Sequence, residues 1–144
     1  MRPLQAIGAA LALALTAGSA IGQATEWKFF TYFPPNDKPA QLNRAFAEDV
    51  TKATGGKLKI TVLAAGELPY KAADVVKAVS TNQVQMGDVA VGFAAGDVPD
   101  LNVLGLPFLC TSYNQFDAAL PAVATVASEQ FGKKFGLTVG MNWT

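Results

Sequence analysis

The sequence predicts an α/β fold, a mostly parallel sheet with flanking helices. Three observations carry that expectation. Strand-like and helix-like patterns alternate between Glu26 and Trp143, in the order β-α-β-α-β-loop-α-β. Gly55-Gly56 separates the first helical pattern from the strand that follows, as a left-handed helix stop does. No internal repeat or low-complexity tract interrupts the series. Strands that alternate with helices are joined by crossovers, and crossovers leave neighbouring strands parallel.

Residues 1–24 read as a secretory leader. Arg2 supplies the positive start, and Ala6–Ala17 is an apolar run of 12 residues. Gly18 with Ala20, or Gly22 with Ala24, offers small residues for cleavage. The run is shorter than the ~20 residues of a membrane span. The mature chain is therefore expected over 25–144, as one α/β lobe outside the cytoplasm.

Glu26–Tyr32 is aromatic and strand-like, and Pro34-Pro35 ends it because proline cannot continue a ladder. Pro39 suits the first turn of a helix, where its missing N–H costs nothing. In that helix Leu42, Ala45, Phe46 and Val50 form the expected apolar stripe, with Arg44, Glu48, Asp49 and Lys52 on the polar face. Lys57–Leu63 alternates, so that Leu58, Ile60 and Val62 share one face of a strand. Gly66 and Pro69 bracket a turn. Ala72–Thr81 reads as the second helix, with Val75, Val76 and Val79 on one stripe.

Gln85–Val91 is expected as a short apolar strand, Gly92–Pro99 as a loop and Leu101–Leu109 as an extended apolar segment. Ser112 and Gln115 have the spacing of a capping box, which can satisfy free N–H groups at a helix start. The helix that follows, Phe116–Phe135, is expected to break or restart at Pro121. Leu137–Trp143 reads as a last strand.

Composition excludes several kinds of chemistry. The 144 residues contain 11 basic and 11 acidic side chains, and loss of Arg2 with the leader leaves a net charge of about −1. No basic patch is present to displace counterions, so nucleic acid is not expected as a partner. There is no histidine, which removes imidazole-based triads and the usual zinc sets. Cys110 is the only cysteine and reads as a small packing residue. Neither a dinucleotide fingerprint nor a phosphate loop occurs; Gly55-Gly56-Lys57 lies between a helix and a strand, the reverse of a phosphate loop's setting. Glu48-Asp49 reads as a solvated helix face, and Asp97 and Asp100 as turn formers. No cofactor, metal site or catalytic residue is expected, and the chain does not read as an enzyme.

A binding surface remains. In open α/β sheets, ligands sit beyond the carboxyl ends of the strands. Those ends are expected at Phe33-Pro34-Pro35-Asn36, at Gly66–Tyr70 and at Gly92-Phe93. Phe33, Pro35, Asn36, Glu67, Tyr70, Gly92 and Phe93 are the candidate ligand-binding residues. Phe33, Tyr70 and Phe93 could equally be core packing. Glu67 is read first as a cap of the second helix, where the helix dipole favours a carboxylate.

Several segments resemble the DctP-type solute-binding proteins of TRAP transporters. They are W-K-F at 27–29, F-A-E-D-V-T-K-A-T-G-G-K-L-K-I at 46–60, G-E-L at 66–68, V-Q-M-G-D at 84–88 and L-P-F-L at 106–109. The resemblance implies a periplasmic-binding-protein-like lobe, which in the family is one of two lobes joined by a hinge. It implies a periplasmic protein that captures a small organic acid or related solute and delivers it to TRAP membrane permease subunits. It also places ligand contacts on the loops after the first three strands, here Phe33–Asn36, Glu67–Tyr70 and Val91–Phe93.

The family's arginine clamp, just beyond the strand matching Leu137–Trp143, would lie past Thr144. The only arginine after the leader is Arg44, expected on the polar face of the first helix and pointing away from the cleft. On that basis the sequence reads as an N-terminal fragment with the second lobe largely missing, its inter-lobe surface at Phe93, Leu106, Phe108 and Trp143 exposed. The alternative is an extracytoplasmic sensing domain that acts through a signalling partner. A secreted hydrolase fragment would require catalytic groups that this sequence does not hold.

Overall fold

The computed structural model describes residues 24–140. The leader (but for Ala24), the candidate strand's end at Met141–Trp143, and with it Trp143, lie outside the described residues. Three strands form one sheet: β1 (Thr25–Phe30), β2 (Leu58–Leu63) and the two-residue β3 (Met86–Gly87). The strand order is β2-β1-β3 and both pairings are parallel, so β1 is central and all three strands end at the same edge. Thr25 to Phe30 pair in register with Leu58 to Leu63, and Phe29 and Phe30 pair with Met86 and Gly87.

Alternation along β1 and β2 divides their side chains between two faces. On one face Phe29, Leu58, Ile60, Val62 and Met86 pack against Ala47 and Val50 of α1 (Lys38–Ala53). On the other, Phe30 packs against Val75 and Ala78 of α2 (Val75–Ser80), with Val84, Leu68 and Tyr70 alongside. A helix on each face of a parallel sheet is what βαβ crossovers produce.

The face that α1 buries differs from the predicted stripe. Ala40 and Ala47 are its buried residues, with Asn43 half-buried between them, while Leu42 and Phe46 remain 54% and 38% exposed. Small side chains let the helix lie close to the sheet, and that closeness carries Asn43 to a partner at the end of β3. Gly55 and Gly56 take left-handed φ values of 59° and 79° after α1, as expected of a helix stop.

The second helix is split. A turn of 3-10 helix (Ala72–Asp74) leads into α2. The strand expected over Gln85–Val91 shrinks to β3, because the chain leaves the sheet at Asp88 and turns into α3 (Val91–Ala94). Gly92 and Phe93 therefore sit in a short helix and not in a loop. Leu101–Leu109 is not extended: Pro99–Gly105 forms a 3-10 helix, which buries Leu101 in a second core with Val76, Ala94, Val98, Ala127 and Phe131.

The last helix, α4 (Tyr113–Phe135), begins at a Ser112 cap, where the hydroxyl accepts from the Gln115 N–H. It runs through Pro121 without a break. Pro121 and Asp117 are exposed, so the carbonyl deprived of its partner faces water, and the Thr125 hydroxyl donates to the Pro121 carbonyl at 3.0 Å. Gly136, at φ 66°, stops the helix. Residues 137–140 are not in a strand; Leu137 and Val139 instead pack back on the second core. No helix among the described residues is long and apolar enough to cross a membrane.

Candidate functional site

The common strand edge puts three chain segments beside one another. β1 continues as Thr31-Tyr32-Phe33, β2 as Ala64–Glu67 and β3 as Asp88–Ala90. The first two remain joined by backbone bonds, Thr31 N–H to the Leu63 carbonyl at 2.9 Å and Ala65 N–H to the Phe33 carbonyl at 3.1 Å.

Aromatic side chains collect on this edge. The Tyr32 and Phe33 rings stack with centroids 4.2 Å apart, and Phe93 meets Tyr32 edge-on at 5.4 Å. Phe93 is 48% exposed, and Tyr32 and Phe33 are half-buried. Two predicted residues, Phe33 and Phe93, are thus brought into one wall by a third, Tyr32. Sequence reasoning made Tyr32 the last residue of the strand; the strand-ending Pro34-Pro35 two residues later was the signal that it lies beyond the ladder.

The wall is tied down from behind. The Asp88 carboxylate accepts from the Thr31 hydroxyl at 2.9 Å and from the Asn43 side-chain amide at 2.7 Å, both through Oδ2, and from the Tyr32 N–H at 3.3 Å through Oδ1. Thr31 is fully buried. Burial pushes the Tyr32 phenol above its usual range, and the nearby Asp88 charge adds to the shift, so the hydroxyl is neutral at pH 7.

Pro35 and Asn36 are exposed, and their carbonyls serve the structure. Arg44 Nη1 donates to the Pro35 carbonyl at 2.8 Å, and Gln41 Nε2 donates to the Asn36 carbonyl at 3.0 Å. Arg44 therefore does not point away from the strand ends. Its long side chain reaches back along α1 to the loop that leaves β1, a reach that residue type alone does not reveal.

The β2 loop behaves differently. Glu67 does not cap the second helix: Oε2 accepts from the Ala64 N–H at 2.6 Å and closes its own tight turn around Gly66 (φ 89°). Tyr70 folds under the sheet, its ring edge-on to Phe30 at 6.0 Å and its hydroxyl bonded to Gln83. Gly92 is exposed in α3, one residue from Phe93. The edge thus unites Phe33, Phe93 and the Pro35–Asn36 loop, while Tyr70 lies half-buried against Phe30.

Two depressions lie elsewhere. One of about 430 Å³ is lined by Trp27 and Leu63 together with polar side chains, among them Lys28, Gln83 and Gln85, and one of about 560 Å³ lies between the Pro99–Gly105 segment and α4. Among the described residues no cluster of His, Cys, Asp or Glu could hold a metal ion. The arrangement offers stacking and apolar contact beside a fixed carboxylate, which suits recognition of a small molecule.

Residues 30–139 match the family described as bacterial extracellular solute-binding protein, family 7 (DctP). Among the similar solved structures are three receptors that bind pyroglutamate. An extracytoplasmic solute receptor of Bordetella pertussis binding pyroglutamic acid is 29% identical, with a TM-score of 0.71 over 77% of this chain and 36% of its own. A second receptor from the same organism, also binding pyroglutamic acid, is 33% identical with a TM-score of 0.62, covering 74% of this chain and 36% of its own. A TRAP solute-binding protein from a marine metagenome, in complex with pyroglutamate, is 30% identical with a TM-score of 0.67, covering 75% of this chain and 35% of its own. The chain thus spans just over a third of the length of these structures. No curated protein matches it.

Proposed function

The chain belongs to the bacterial extracellular solute-binding proteins, family 7, and on that premise we propose that it captures a small organic acid for a TRAP-type transporter. The acid would dock against Phe33, Tyr32 and Phe93 at the strand edge and pass from there to a membrane permease. The observation that carries this reading is the aromatic wall itself, placed at the carboxyl ends of parallel strands, where α/β folds bind ligands. Pyroglutamate, or a cyclic acid close to it, is the leading ligand class. It is named for three of the similar structures, and the flat face of its lactam ring fits an aromatic surface. Export by the 1–24 leader would put the protein in the periplasm, where such capture is useful.

Ligand that binds only the folded state raises stability, by about 2.7 kcal/mol at a hundredfold excess over Kd. A thermal-shift titration of the full-length protein with L-pyroglutamate, succinate and a uronic acid is expected to raise Tm most with pyroglutamate. A flat response to all three would refute capture of an organic acid, and a response to succinate alone would refute the cyclic class. Phe93→Ala should weaken binding about tenfold, as loss of one aromatic contact implies.

A further inference from the structure

Asp88 stands immediately beyond β3, and three parts of the fold converge on it. Its carboxylate takes the Thr31 hydroxyl and Tyr32 N–H from the segment after β1, and the Asn43 amide from α1. Its own N–H donates to the Phe30 carbonyl at 3.2 Å. The Phe33 N–H donates in turn to the Thr31 hydroxyl at 3.4 Å. A chain of bonds therefore runs from α1 through Asp88 and Thr31 to the backbone of the aromatic pair. Arg44 and Gln41 hold the far end of the same loop by different bonds.

We propose that Asp88 is a positioning residue for ligand binding: it fixes Thr31 and Tyr32 so that the Tyr32–Phe33 stack already faces Phe93 before a ligand arrives. The proposal rests on the reading of this wall as the ligand surface. Hydrogen bonds to a carboxylate are roughly twice as strong as neutral ones, and both of its oxygens accept. Thr31 is fully buried, so its hydroxyl has no water to replace Asp88. A wall ordered in advance does not lose affinity to the entropy of ordering on binding.

Asp88→Asn keeps the shape but turns one acceptor into a donor, and the new NH2 faces either the Tyr32 N–H or the Thr31 and Asn43 donors. Thr31→Val removes the hydroxyl at near-constant volume, and Thr31→Ser restores it. The near-ultraviolet circular dichroism contributed by Tyr32, assigned by difference from Tyr32→Phe, reports the geometry of the stack without any ligand.

Asp88→Asn and Thr31→Val are expected to alter that signal with the far-ultraviolet spectrum unchanged, while Thr31→Ser preserves it. The Kd of the full-length protein for L-pyroglutamate should rise about tenfold in the first two and stay near wild type in the third. Should Asp88→Asn fail to fold, the Thr31 pair decides. An unchanged aromatic signal in Thr31→Val would overturn the positioning role, as would an altered signal with unaltered affinity. A wild-type protein that does not bind pyroglutamate would refute the ligand reading above, while the aromatic signal still decides whether Asp88 sets the loop.

Discussion

Gly87→Ala is expected to destabilise the fold through a single identifiable clash. β3 is only two residues long, and Gly87 is the one that faces α2. A Cβ built there would lie 2.6 Å from Val75 Cγ1 and 3.2 Å from Val79 Cγ2, with the Phe30 carbonyl oxygen at 3.5 Å behind it. Val75 is buried and stiff at χ1, so its methyl cannot swing aside, and the helix or the strand must shift instead. Overpacking of this kind costs about 1–3 kcal/mol. A domain of this size is stable by about 5–15 kcal/mol, so the loss is a visible fraction.

The assay is urea unfolding followed by far-ultraviolet circular dichroism, with midpoints compared at constant m. Val75→Ala alone should cost roughly 1–2 kcal/mol in lost burial. The double variant should cost at least about 1 kcal/mol less than the two singles together, because Val75→Ala removes the methyls that the new Cβ meets. A Gly87→Ala midpoint within error of wild type, or strictly additive singles, would show that α2 does not rest on Gly87 as described.

Three further outcomes follow from local geometry. Gly136→Ala should cost about 1–2 kcal/mol, read from urea midpoints, because φ at 66° strains any side chain although open space surrounds the position. Ser112→Ala should lower stability by about 1 kcal/mol in the same measurement, through loss of the cap on α4. Tyr32→Phe should flatten the alkaline limb of the stability profile. The Tyr32 phenol is raised above 10.0, so its contribution is complete below that pH and is lost as pH climbs from there through the folded value; urea midpoints from about pH 8 to 11 read the difference.

The alternation of strands and helices was legible because each pattern is local. Ile60 alternates with its neighbours, and Gly55-Gly56 marks a helix end whatever surrounds it. Tertiary packing decided the rest. Leu42 and Phe46 look like a core stripe, yet the helix turns Ala40, Asn43 and Ala47 to the sheet, because small residues permit close approach and Asn43 has Asp88 to meet. Pro121 reads as a breaker, and it is tolerated because that side of α4 faces water. Leu101–Leu109 has the composition of a strand, but Pro99–Gly105 winds into a 3-10 helix that buries Leu101 in the second core and leaves Val103, Leu106, Phe108 and Leu109 exposed.

The candidate site follows the same division. That strand ends carry binding residues is a rule of topology, and the sequence supplied three such ends. Which of them converge depends on strand order, a property no single segment encodes. With β1 between β2 and β3, the segments after β1 and β3 are neighbours, so Phe93 reaches Tyr32 across one strand spacing. The β2 end is also adjacent, but Glu67 closes its turn at once and sends the chain beneath the sheet toward α2. Tyr70 is carried along and lies half-buried against Phe30. A tight carboxylate-closed turn after β2 and a fixed aspartate after β3 thus produce opposite results from similar loops: one withdraws its aromatic ring from the edge, and the other holds two rings in place upon it.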